Sequence, residues 1–202
     1  LIRALIKFWL TFMMPEHSAL ALQGRKILVT RPIRQVSGLV DLIEQQGGEA
    51  IVFPVIEITT IDVKQWGEWN PQQTNWLVFV SRNAVEQFLK GNPQPFPGHV
   101  KLVAAGEGTA QALRENGLTV DLQPELSNGS EGLLQLPEWQ QMAQQQVVIV
   151  RGEGGRELMA DTLRARGAKI SYLEVYRRQL PTVSSESRLL PWNKDLNRCM
   201  SV

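Results

Sequence analysis

Short apolar runs rich in β-branched residues alternate with stretches whose apolar positions recur every three or four residues. That alternation predicts strands followed by helices. Residues 27–30 form the first expected strand, Arg31-Pro32 break it, and Val36, Leu39, Val40 and Ile43 share one helical face that Gly47 terminates. Residues 50–58 read as the next strand. A third covers 76–80, followed by a helix carrying Val85, Phe88 and Leu89, with Ser81 as its expected cap and Gly91 at its end. After a strand at 100–105, Gly106 to Thr109 turn into a helix bearing Ala110, Ala112 and Leu113 that ends at Gly117, and 118–122 extend again. A short helix at 131–136 is cut by Pro137. Residues 147–150, VVIV, read as a buried strand; Gly152, Gly154 and Gly155 then turn the chain into a helix opening at Arg156, and 170–175 form a last strand running into Tyr176. The fold class is α/β, with a parallel sheet covered on both faces.

The first unit recurs. Residues 27–56 shifted by 120 positions fall on 147–176, bringing Arg31 onto Arg151, Asp41 onto Asp161, Gly47 onto Gly167 and Val55 onto Val175. Two copies indicate an internal duplication rather than a solenoid. Upstream, LIRALIKFWLTFMM carries Arg3 and Lys7 and is too short and too charged to span a bilayer. The ordinary chain is expected to begin near Met14, an amphipathic anchor being the other reading. From Thr182 onward turn residues dominate, with no periodicity for another strand and helix. With 21 basic and 20 acidic residues the net charge is +1, which gives no general field for nucleic acid. One cysteine excludes an internal disulfide, and two histidines without a Cys cluster argue against structural zinc. The composition suits a reducing cytoplasm.

In open parallel sheets ligands gather beyond the carboxyl ends of the strands. The loops there contain Thr30-Arg31, Ser81-Arg82-Asn83, Gly108-Thr109, Asn128-Gly129-Ser130 and Arg151-Gly152. Hydroxyls and main-chain N–H groups at helix starts suit carboxylates, although Ser81, Thr109 and Ser130 also read simply as caps. The turn at Gly152 to Gly155, flanked by Arg151 and Arg156, is either an anion cradle or only a tight turn. It lacks the Lys-Ser/Thr of a P-loop and the spacing of GxGxxG. His17 and His99 have no Ser or Cys partner, and Glu153 with Glu157 reads as a solvated helix start. Tyr176, a phenol at the end of an apolar strand beside Arg177-Arg178, is placed either as a proton donor to a leaving oxygen or as an ordinary strand aromatic.

The segments ILVTRP, VSRNAVEQF, AAGEGTAQALRENG, NGSEGLLQL and VVIVRGEGGRELMADTLRARGAKISYLEVYRR, in this order between about residues 24 and 181, resemble the uroporphyrinogen-III synthase family. The resemblance implies two doubly wound parallel-sheet lobes joined by a two-stranded linker. On that plan 1–23 are a leader outside the fold, 24–58 a first-lobe fragment and crossing strand, 59–172 a complete second lobe, 173–181 the return linker and 182–202 an incomplete first-lobe tail. It also implies a cytoplasmic, monomeric, cyclising hydro-lyase that closes hydroxymethylbilane into uroporphyrinogen III with inversion of the last pyrrole ring and loss of water. No metal or organic cofactor is implied; the partner is a polycarboxylate tetrapyrrole substrate, with neither nucleic acid nor membrane. Tyr176 stands at the family's tyrosine, the candidate for helping the hydroxyl leave as water. Thr30, Arg31, Ser81, Asn83, Thr109, Ser130, Arg151, Gly152 and Gly154 stand at positions expected to bind substrate. Val80 departs from the family, where Thr usually precedes the Ser. The return half of the first lobe has no counterpart after Asn197, which implies a truncated member; the alternative function is a non-catalytic lobe that binds anionic ligands.

Overall fold

A computed structural model describes residues 20–92, 96–125 and 129–181. The expectations for the leader upstream of residue 20 and for the tail 182–202 fall outside the described residues. Contacts divide the chain into two units, Leu1–Glu57 with Leu180–Val202, and Ile58–Gln179.

In the first unit, strands β1 (Lys26–Val29) and β2 (Glu49–Val52) run parallel and are connected by helix α1 (Ser37–Gln45). Pairing begins at Lys26 with Glu49. Residues 50–58 are not one strand. Pro54, which has no N–H to give a ladder, separates β2 from β3 (Glu57–Thr60), and the two strands belong to different sheets.

The second sheet has the order β3-β7-β6-β4-β5, with β4 at Trp76–Phe79, β5 at Lys101–Ala104, β6 at Gln146–Gly152 and β7 at Lys169–Gln179. β4 runs parallel to both β5 and β6, and β6 parallel to β7. Helices α2 (Arg82–Gly91), α3 (Glu107–Glu115), α4 (Ser130–Leu134) and α5 (Leu158–Ala165) complete it. All four residues of β4 are buried, as a central parallel strand requires. Leu77 and Phe79 of β4, Leu102, Val148 and Val150 pack on one face against Val85 and Phe88 of α2 and Leu113 of α3. Trp76, Val78, Val103, Val147 and Ile149 pack on the other against Leu133 and Leu134 of α4 and Met159 and Leu163 of α5. Residues 118–122 do not form a strand; they contribute one bridge, between Val103 and Leu122.

The duplication carries through to register. The pair Lys26 and Glu49 in one unit and the pair Gln146 and Lys169 in the other are separated by the same 120 positions at both members. Each helix closes on the same turn, with Gly48 N–H donating to the Ile43 carbonyl and Ala168 N–H to that of Leu163. Among the described residues no helix is long and apolar enough to cross a membrane.

Candidate functional site

From β4 the chain moves through α2 to β5 on one side, and from β6 through α5 to β7 on the other. The connections therefore part at the β4/β6 border, and the ends of those two strands flank the crevice in which a ligand is best received. Ser81 follows β4 in extended conformation, and its Oγ accepts the Ala84 N–H at 3.1 Å, capping α2.

Tyr176 comes to the same place by an irregularity. Arg151 pairs with Glu174 and Gly152 with Tyr176, so Val175 is an extra residue in β7. Strict alternation would put Val175 and Tyr176 on opposite faces; the bulge puts both in the core beneath α2 and α3. The Tyr176 side chain is 0% exposed. Its hydroxyl lies 3.2 Å from Ser81 Oγ and accepts from Arg178 Nη2 at 3.1 Å. The Arg178 guanidinium carbon also stands 5.5 Å from the centre of the Tyr176 ring. Gly152 lies under that ring, where a Cβ would meet Cε2 and Cζ at 2.6 Å.

Arg151 points to the other face and is 8% exposed. Its Nε and Nη2 donate to Glu174 Oε1 at 3.2 and 3.1 Å, and its Nη1 to Glu157 Oε1 at 2.7 Å and to the Gly155 carbonyl at 3.3 Å. The guanidinium lies 3.8 Å from the centre of the Tyr172 ring, and the Tyr172 hydroxyl donates to Glu157. Burial opposes the Arg151 charge, but the bonds and charges of Glu157 and then Glu174 prevail and hold its pKa above the ordinary value. A hydrogen bond from Tyr172 first, and one from Arg151 second, hold Glu157 below the usual carboxylate range. Burial first, and the bond to Glu157 next, push the Tyr172 phenol up. The guanidinium expected to face a ligand is thus engaged within the protein, where it braces the turn after β6. Capture of the Gly155 carbonyl by Arg151 also explains why α5 opens at Leu158 instead of Arg156.

The remaining candidates divide by unit. Asn83 is half-buried in the first turn of α2, and Thr109, 6% exposed, lies in the first turn of α3. Ser130 opens α4 directly after Gly129, whose N–H reaches the Ala105 carbonyl beyond the end of β5. Gly154 takes φ +70° with open space where a Cβ would stand. Ser81, Asn83, Thr109, Ser130 and Gly154 thus follow the carboxyl ends of strands in one sheet, in which Gly152 is the last residue of β6 and Tyr176 pairs with it from within β7. Thr30 and Arg31 follow β1 in the other unit and are exposed. Arg156 reaches Glu131 at 3.5 Å, and Arg177 reaches Glu153 at 3.5 Å. Sequence reasoning missed Tyr172, Glu174 and the carboxylate role of Glu157. Their signal is weak, because the sheet register alone brings Glu174 opposite Arg151.

The sequence model of the family described as uroporphyrinogen-III synthase HemD matches residues 37–193. The chain belongs to the uroporphyrinogen-III synthase family. It is 36% identical over 164 residues to the uroporphyrinogen-III synthase of Escherichia coli (strain K12), a match covering 75% of this chain and 64% of that protein. It is 32% identical over 173 residues to the uroporphyrinogen-III synthase of Proteus mirabilis, covering 82% of this chain and 86% of that one. Thus the chain spans a little under two thirds of the E. coli protein and more of the P. mirabilis one. A mutant uroporphyrinogen III synthase from the extremely thermophilic bacterium Thermus thermophilus shares the fold, with a TM-score of 0.56 at 18% identity over 87% of this chain and 69% of that one. In this uroporphyrinogen-III synthase family member the matched range takes in Ser81, Arg151 and Tyr176 and begins after Thr30 and Arg31.

Proposed function

We propose that this family member closes hydroxymethylbilane into uroporphyrinogen III, inverting the last pyrrole ring and releasing water, without a metal or organic cofactor. The observation that carries the reading is the Tyr176 phenol, buried between Ser81 and Arg178 where the sheet's connections part. Tyr176 donates its proton to the departing hydroxyl: the C–O bond breaks with its electron pair on oxygen, the pyrrole nitrogen supplies electrons to the carbon left behind, and water leaves. A positioned acid of this kind contributes about 10²- to 10⁴-fold. The carbon left behind bonds to the last ring's substituted α-carbon, and the bond from that α-carbon to its linking methylene breaks with its electron pair kept by the ring. The freed methylene carbon then bonds to the ring's other α-carbon, which loses a proton. Steering the first attack to the substituted α-carbon is a matter of positioning, which selects isomer III over the isomer formed by unaided closure.

The acetate and propionate groups of the substrate are held by helix-start N–H groups and hydroxyls at Ser81, Asn83, Thr109 and Ser130, and by the open turn at Gly152 and Gly154. Arg151 acts through the turn it braces, since its donors already meet Glu157, Glu174 and Gly155. The finer architecture belongs to the same proposal: two lobes, with 59–172 forming one, joined by crossings near 55–58 and 175–178. The shared register of the two strand-helix-strand copies supports it. The same reading places the chain as a monomer in the cytoplasm, a reducing compartment with which the single cysteine accords.

Incubating the chain with hydroxymethylbilane and separating the isomers by chromatography tests the proposal. Isomer III in excess is expected. Isomer I alone, at the rate seen without protein, combined with retained binding of a polycarboxylate tetrapyrrole, would favour the non-catalytic anion-binding lobe.

A further inference from the structure

Two side chains converge on the Tyr176 oxygen. A guanidinium has hydrogens to give and no lone pair to offer, so the 3.1 Å bond from Arg178 occupies one acceptor position of the phenol. Ser81 Oγ accepts the Ala84 N–H and keeps one hydrogen and one lone pair, so across the 3.2 Å to the phenol oxygen either hydroxyl can donate. In the arrangement in which Ser81 donates, both protein bonds to the phenol are accepted ones and the phenolic hydrogen is left for another acceptor. Arg177, one residue earlier, serves elsewhere, reaching Glu153 at 3.5 Å.

Resting on the proton-donor reading above, we propose that Arg178 is a positioning residue for Tyr176, which together with Ser81 fixes the phenol as a donor toward the leaving hydroxyl. As the proton passes to that oxygen and the C–O bond breaks, negative charge grows on the phenol oxygen: a bond donated by Ser81 becomes charge-assisted, and the bond from Arg178, already given by a cation, becomes an ion pair. Both strengthen as that charge develops, so the gain appears in the transition state and not on substrate binding. The phenolate regains its proton from the pyrrole carbon that must lose one after the ring-closing C–C bond forms, and the cycle closes without a co-reactant.

Two readouts on the full chain test this. The chain has two tyrosines, so carbon-13 labelling at tyrosine Cζ gives one reporter at Tyr176 and an internal control at Tyr172. Arg178→Met is expected to move the Tyr176 resonance and leave that of Tyr172 in place, with Arg178→Lys moving it less; an unmoved Tyr176 resonance would overturn the proposal. In kinetics, Arg178→Met is expected to lower kcat about tenfold with KM changed less than about twofold. Combining it with Tyr176→Phe should slow the reaction no further than Tyr176→Phe alone. A raised KM at unchanged kcat, or losses that multiply in the double variant, would make Arg178 a direct substrate contact and overturn the inference. An unmoved label counts against this inference alone, whereas a Tyr176→Phe chain with unchanged kcat overturns the proton-donor reading beneath it.

Discussion

The ring of Tyr176 lies against the Cα of Gly152, so close that a Cβ on that glycine would stand 2.6 Å from two ring carbons. The neighbour is a fully buried ring held by Ser81 and Arg178, which cannot swing away as an exposed chain would. Gly152→Ala is therefore expected to displace the phenol. Overpacking of this kind costs about 1–3 kcal/mol. Denaturant unfolding should show that loss and isomer III formation should fall at least about tenfold; a variant unchanged in both would remove the steric argument.

Gly154 presents the opposite case, with φ +70° and free space around the missing Cβ. The cost of Gly154→Ala is then conformational only, about 1–2 kcal/mol. Gly154→Asn should cost less, since Asn tolerates this conformation. Equal losses for Ala and Asn in urea titrations would contradict a purely backbone origin.

Removing Arg151 leaves Glu174 and Glu157 without their shared cation. Arg151→Met is expected to destabilise the second unit by about 2 kcal/mol, less than the roughly 3–5 kcal/mol of a fully buried pair because both carboxylates keep some water. Lys at this position should restore less than half, having no planar fork to serve two carboxylates and a carbonyl at once. Thermal or urea unfolding of the two variants measures the difference.

The same cluster predicts a stability profile that falls at both ends of the pH scale. Glu157 is held low by Tyr172 first and Arg151 next, so its contribution is complete above the unfolded carboxylate value and is lost as pH falls below about 4. Tyr172 is raised by burial first and by Glu157 next, so its contribution is complete below about 10 and is lost as pH rises through the higher folded value. Tyr172→Phe should abolish the alkaline descent and make the acid one shallower. Tm measured against pH for both chains checks this, and an alkaline descent that survives in the Phe variant would assign it to another group.

The α/β class was legible because β4 is wholly apolar and β6 is built on the apolar run 147–150, the two followed by a capping serine and a glycine turn, patterns that local chemistry alone produces. Gly47 and Gly167 likewise marked the helix ends of the repeated unit. The break at Pro54 was readable in principle, since a proline inside an apolar run argues against one continuous strand. Strand order and the Val175 bulge were not, because both depend on which distant strands pair and in what register. Alternation along β7 assigns Tyr176 to the Arg151 face, and only the bulge carries it to Ser81. For the same reason Arg151 read as a free cation: its two carboxylate partners are set by the sheet register and by the turn into α5.

The central claim is that the Tyr176 phenol delivers the proton that lets water leave. Its most direct test is the rate of isomer III formation from hydroxymethylbilane by the wild-type chain and by Tyr176→Phe, with folding of both verified by circular dichroism. The account predicts that the Phe chain folds and forms isomer III about 10²-fold more slowly, the loss expected for a positioned proton donor. Isomer III formed by the Phe chain at the wild-type rate would contradict it.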